Sequence, residues 1–118
     1  MSYTFSIVGS KMILKDPVLV KFTKWTKALK GKIKAVYLFG SRARGSERPD
    51  SDYDLFLVVT DDFSREDKSR LYDGVMEVLF ETGRLVSLKI RKEREFQRLR
   101  KLQTPFIENL LQEGVKIG

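Results

Sequence analysis

The sequence predicts one small α/β or α+β domain, a sheet covered by helices, on three observations. Its 118 residues suit a single core. Two nearly continuous apolar runs, IKAVYLF and YDLFLVV, read as buried strands. Amphipathic stretches with recognisable start and stop signals lie on either side of them. No repeat, low-complexity tract or linker divides the chain, so residues 1–118 are expected to form one domain.

In chain order, Tyr3, Phe5 and Ile7 alternate with polar residues and suggest an additional strand. Asp16-Pro17 reads as an N-cap followed by proline at the first helical position, and Val18, Phe22, Trp25 and Leu29 then form one apolar stripe that Gly31 ends. Trp25 and the strand residue Tyr37 sit within apolar patterns and are expected in the core. Ile33 to Phe39 and Tyr53 to Val59 are the two buried strands, joined by GSRARGSERPDSD, a loop with room for a short helical turn. Ser64 and Asp67 have capping-box spacing ahead of a helix carrying Leu71, Val75, Val78 and Leu79, which Gly83 stops. Arg84 to Ile90 alternates more than the first two strands and is expected nearer a sheet edge. Arg91 to Leu102 is a basic helical segment, and Thr104-Pro105 starts a last helix with Phe106, Ile107, Leu110 and Leu111, closed by Gly114. That last apolar set serves either the core or a homodimer or partner interface.

Composition removes several chemistries. There is no Cys and no His, hence no thiolate nucleophile, zinc finger, disulfide framework or imidazole base, and any metal must be held by oxygen ligands. The 23 Lys+Arg against 16 Asp+Glu give a formal charge of +7. All of that excess lies in the first 34 residues, where lysines outnumber acids eight to one. It is either a footprint for nucleic acid or an acidic partner, or the solvated face of a helix. The basic Arg91 to Lys101 segment has the same two readings: an approach for nucleotide or RNA, or pairing with the acidic turn Asp61 to Asp67. No apolar run approaches the roughly 18–20 residues that span a bilayer, and the N-terminus lacks a signal-peptide hydrophobic region, so a soluble cytoplasmic protein without membrane contact is expected.

The stretch with chemical content is Gly40 to Asp54, GSRARGSERPDSDYD. Side chains alternate along a strand, so Asp52 and Asp54 share one face and Tyr53 takes the other. Two carboxylates on one face repel unless a cation joins them, and Mg²⁺ does so with one or two protein carboxylates plus nucleotide phosphate oxygens. Gly40-Ser41 follows a buried strand, where the absence of a side chain lets backbone N–H groups and a hydroxyl approach phosphate, and Arg42 and Arg44 are additional phosphate donors. No P-loop, GxGxxG turn or EF-hand loop fits the spacing.

Gly40-Ser41, ten intervening residues, and Asp52-Tyr53-Asp54 resemble the signature of the nucleotidyltransferase superfamily that includes DNA polymerase β. The finer pattern GSRARG…SDYDLFLV resembles the minimal nucleotidyltransferases of prokaryotes. The resemblance implies a nucleotidyltransferase fold with a small mixed sheet. It also implies transfer of a nucleoside monophosphate, AMP from ATP or another NMP, to a hydroxyl of a protein or RNA acceptor. Asp52 and Asp54 would bind Mg²⁺ or Mn²⁺ and be catalytic, Gly40 and Ser41 would hold the β- and γ-phosphates, and Arg42 or Arg44 would assist. A common arrangement in that family is an antitoxin that modifies a small helical HEPN partner. Active members use a third carboxylate on a later strand facing the aspartate pair. Here that strand is Arg84 to Ile90, and the position falls at or next to Ser87, whose hydroxyl supplies no negative charge. An enzyme and a catalytically weak nucleotide-binding module of the same fold are both consistent with that replacement.

Overall fold

The computed structural model describes residues 16–29, 31–40 and 52–117. The alternating segment Tyr3 to Ile7 and the loop residues 41–51 lie outside them. The elements are α1 (Pro17–Ala28), β1 (Ile33–Phe39), β2 (Tyr53–Val59), α2 (Arg65–Thr82), β3 (Val86–Lys92), α3 (Glu93–Leu102), α4 (Pro105–Glu113) and β4 (Val115–Lys116). Among the described residues the strands form one mixed sheet in the order β3-β2-β1-β4. β1 pairs antiparallel with β2 and β4, whereas β2 pairs parallel with β3. The parallel pair requires a crossover, which α2 provides. No described helix is long and apolar enough to cross a membrane.

β2 is central because both its faces are apolar. Tyr53, Leu55, Leu57 and Val59 join Val18, Leu19 and Phe22 of α1 and Leu71, Val75 and Val78 of α2 in one core. Phe56 and Val58 join Ala35, Phe96 of α3 and Ile107 and Leu110 of α4 in a second. Helices thus cover the sheet on both sides. Each fully buried side chain, such as Phe22, Leu55, Leu57 or Leu71, contributes on the order of 1.5–3 kcal/mol.

Helix ends follow their local chemistry. The Asp16 side chain accepts from the N–H groups of Val18 and Leu19 at 2.9 and 3.3 Å. Ser64 and Asp67 form the reciprocal capping box, and Gly83 ends α2 in the left-handed conformation. Thr104 caps α4. Pairing of β3 begins two residues later than its sequence pattern suggests, at Val86, because that residue is the register partner of Tyr53. Trp25 is only half-buried: it lies over Gly74 of α2, where an added methyl would meet its ring at 2.5 Å, and its Nε1 donates to Glu77 at 2.9 Å. Tyr37 is likewise half-buried, beside Phe96.

The N-terminal lysines are not all solvated. Lys32 Nζ lies 2.8 Å from Asp67 Oδ2, which also accepts from the Ser64 N–H at 2.9 Å. These bonds, the lysine's first and the Ser64 amide's second, hold the Asp67 carboxyl down at about 2, and the same pairing raises Lys32. A depressed carboxyl stabilises the fold above its unfolded value near 3.9 and loses that contribution as pH falls toward 2. Denaturant titrations of the wild type should therefore lose stability between about pH 4 and 2, and Asp67→Asn should remove that part of the slope. An unchanged acid limb in the Asp67→Asn variant would place the acid sensitivity elsewhere.

Candidate functional site

The start of β2 is fixed from three directions. The Tyr53 N–H donates to Leu85 O at 3.0 Å, tying the strand to the approach of β3. On one face the Tyr53 hydroxyl donates to Asp16 Oδ2 at 2.6 Å, so one carboxylate both caps α1 and anchors this strand. On the opposite face Asp54 meets the end of β1, where its Cα partner is Phe39.

Gly40 follows Phe39 with φ +77°, in the region that favours glycine. A Cβ built there would lie 2.6 Å from Asp54 Oδ2, so the glycine backbone lies directly against the carboxylate. Asp54 is partly buried and Asp52, just ahead of the strand, is exposed. Burial raises the Asp54 carboxyl above its ordinary value, the Asp52 charge raises it further, and Lys89 opposes both. The Asp52 charge thus acts on Asp54.

On the other side of Asp54 its Cα partner in the parallel register is Ser87. Register partners in a sheet point the same way, so the exposed Ser87 hydroxyl occupies the position facing the aspartate pair. Among the described residues no three acids come together as a metal cluster. The donor set present is two carboxylates, a glycine that leaves room beside one of them, and a hydroxyl. That set fits a hard divalent cation whose remaining ligands come from a polyphosphate. Ser41, Arg42 and Arg44 lie outside the described residues.

Two neighbours of the site carry no local signal in the sequence. Lys89, two residues beyond Ser87 and so on the same face, is the cation that reaches Asp54 electrostatically. Its Nζ also lies 5.1 Å from the ring centroid of Phe106, which packs against Phe39 and Phe56 at 5.6 and 5.8 Å. The basic α3 does contact the acidic turn: the Arg94 N–H donates to Asp61 Oδ1 at 3.1 Å, with the guanidinium Nε 3.9 Å from Asp61 Oδ2.

The family described as "Polymerase beta, Nucleotidyltransferase" matches residues 23–118. A protein of Methanocaldococcus jannaschii named "Putative protein adenylyltransferase" is 32% identical over 85 residues, which span 72% of this chain and 78% of that protein. Among solved structures, a chain from a toxin-antitoxin crystal structure with AMP-PNP superposes with a TM-score of 0.54 at 17% identity, over 84% of this chain and 71% of the other. A chain from a MntA-HpeT toxin-antitoxin mutant, in which two aspartates two positions apart are replaced by glutamate, gives a TM-score of 0.51 at 13% identity over the same shares. At those identities the two structures speak to the fold.

Proposed function

This chain belongs to the polymerase β nucleotidyltransferase family, and we propose that it binds ATP with Mg²⁺ at Gly40-Ser41, Asp52 and Asp54 and transfers AMP to a hydroxyl of a protein or RNA acceptor. The carrying observation is the convergence of Gly40, Asp54 and Ser87 at one end of the sheet, with Asp52 beside them. Arg42 and Arg44 are assigned to the phosphates by the family motif. Support for ATP comes from the adenylyltransferase relative and from the AMP-PNP in the first structural neighbour. The aspartate pair altered in the second neighbour has the spacing of Asp52 and Asp54. Both neighbours are toxin-antitoxin assemblies, which supports a protein partner; in our reading that partner is a small helical HEPN-type protein and this chain its cytoplasmic antitoxin.

In the transfer, the acceptor oxygen bonds to the α-phosphorus and the bond from that phosphorus to the bridging oxygen breaks. Pyrophosphate leaves with the electron pair, and the hydroxyl proton passes to water. A divalent ion held by Asp52 and Asp54 would supply charge neutralisation in this displacement. The protein holds the phosphates at the Gly40 turn and keeps Asp54 in place through the Phe39 and Ser87 pairings.

Incubation with α-labelled ATP, Mg²⁺ or Mn²⁺ and the partner should leave label on an acceptor, and Asp54→Ala should abolish it. ATP binding without transfer of any of the four nucleotides would favour the second reading, a nucleotide-binding module that acts by docking. Ser87 is the observation that favours it, since a hydroxyl stands where active relatives are expected to carry an acid. Ser87→Asp then separates the two. On the enzyme reading it should raise transfer at least about tenfold, equivalent to about 1.4 kcal/mol of transition-state stabilisation. No gain would mean that a carboxylate on this edge does not reach the reacting groups.

A further inference from the structure

The proposed transfer leaves the acceptor's class open, and the edge of the sheet bears on it. β3 is an outer strand, and its positions on the Asp54 face are Ser87, Lys89 and Arg91, paired with Asp54, Phe56 and Val58. Cations thus lead away from the carboxylates over about 13 Å of strand. The chain turns directly into α3, where Arg94, Arg98 and Lys101 recur at helical spacing over about 10 Å. From Val86 to Leu102 there are seven cations, the salt-bridged Arg91 among them, against two carboxylates.

Arg91 is shared with Glu95 at 3.6 Å and Arg94 with Asp61 at 3.9 Å. Among the described residues Lys92, Arg98 and Lys101 have no carboxylate within ion-pair distance. Lys92 and Arg98 line a cavity of about 290 Å³ at the far end of the strand, together with Arg94, Asp61 and Glu95, the two carboxylates being those that pair with Arg94 and Arg91. At the near end the Phe106 ring, 38% exposed, stands beside Lys89. Cations in a line beside a partly exposed aromatic ring are what a single-stranded nucleic acid uses: phosphates for the line, a base for the exposed part of the ring. Arginines are frequent along this stretch, and their guanidinium groups suit phosphate oxygens.

We propose that the β3 edge and the outer face of α3 form a docking track for single-stranded nucleic acid, phosphates on Lys92, Arg98 and Lys101 and a base against Phe106, which brings the strand's terminal hydroxyl to Asp54. The assignment of that hydroxyl as acceptor rests on the nucleotidyltransferase reading; the docking itself does not.

The test is fluorescence anisotropy of the full chain with a labelled oligouridylate of about 12 nucleotides over a salt series, with oligothymidylate and polyglutamate as comparison arms. Each phosphate contact on a single strand adds about −0.7 to the slope of log K against log salt. The wild type is expected near −2 to −3, and Lys92→Ala with Arg98→Ala and Lys101→Ala should make the slope shallower by about 2 and weaken binding at least tenfold. All three positions are at the surface, and retained ATP affinity in the triple variant will report an intact fold. Phe106→Leu should weaken binding about tenfold with no change of slope, as removal of stacking does. Equal binding of the thymidylate supports a track that reads phosphate and base rather than the 2′-hydroxyl. An unchanged slope in the triple variant, or polyglutamate competing as well as RNA, overturns the proposal, the latter assigning the track to an acidic protein. RNA docking without ATP binding would overturn the nucleotidyltransferase site instead, and ATP binding without RNA docking would overturn the track alone.

Discussion

Mg²⁺-dependent ATP binding is expected to disappear when Asp52 and Asp54 are both replaced by alanine. These are the two protein carboxylates that the site offers a hard cation, and the opposing position carries a hydroxyl. Loss of partners that merely orient ligands already weakens metal sites about 10–100-fold, so removing the ligands should exceed that. The fold should survive. Burial and then the Asp52 charge raise the Asp54 carboxyl, which means that its ionised form opposes folding at neutral pH. The apo double variant should therefore melt at or above the wild-type temperature, a common outcome where a site is held at the expense of stability. Calorimetry showing unchanged ATP affinity in this variant would remove Asp52 and Asp54 from the site.

Gly40→Ala is expected to lower transfer about 100-fold while leaving most of the structure in place. The methyl would lie 2.6 Å from Asp54 Oδ2, a separation that real side chains do not tolerate, so either the carboxylate or the turn must move. A φ of +77° adds about 1–2 kcal/mol for a residue with a Cβ. Displacements near 1 Å in a catalytic constellation cost on the order of 100-fold. Thermal melts should show the modest loss of stability, and labelled-ATP assays the larger loss of transfer. Wild-type transfer in this variant would show that close approach of the Gly40 backbone to the carboxylate has no part in catalysis.

Legibility in the sequence follows the range of the interactions. β1 and β2 match their apolar runs because both strands are covered on two faces and the pattern needs no partner to be read. The caps at Asp16, Ser64, Gly83 and Thr104 are local and equally plain. β3 is readable as an edge but not in extent: Arg91 and Lys92 remain paired with Val58 and Val59 because an edge strand leaves its charged side chains in water. β4 has no signal, since two residues have no periodicity and only the pairing with Tyr37 and Leu38 defines them. In the site, strand alternation predicts one face for the two aspartates, and the Asp54–Ser87 partnership is legible only through the family resemblance, which puts a residue of the later strand opposite them. The Tyr53–Asp16 and Lys32–Asp67 bonds join residues 37 and 35 positions apart, where no local pattern points from one to the other.

The seat of Ser87 on an outer strand has an evolutionary consequence. Its side chain is exposed and supports no packing, while its backbone pairing with Asp54 is indifferent to what the side chain is. Surface changes of that kind usually alter stability by less than about 0.5 kcal/mol. An acid at position 87 would displace no buried side chain, and its cost to folding would be the repulsion from Asp54 and Asp52. On the enzyme reading, catalytic strength would then be adjustable at an exposed position whose side chain neither core uses.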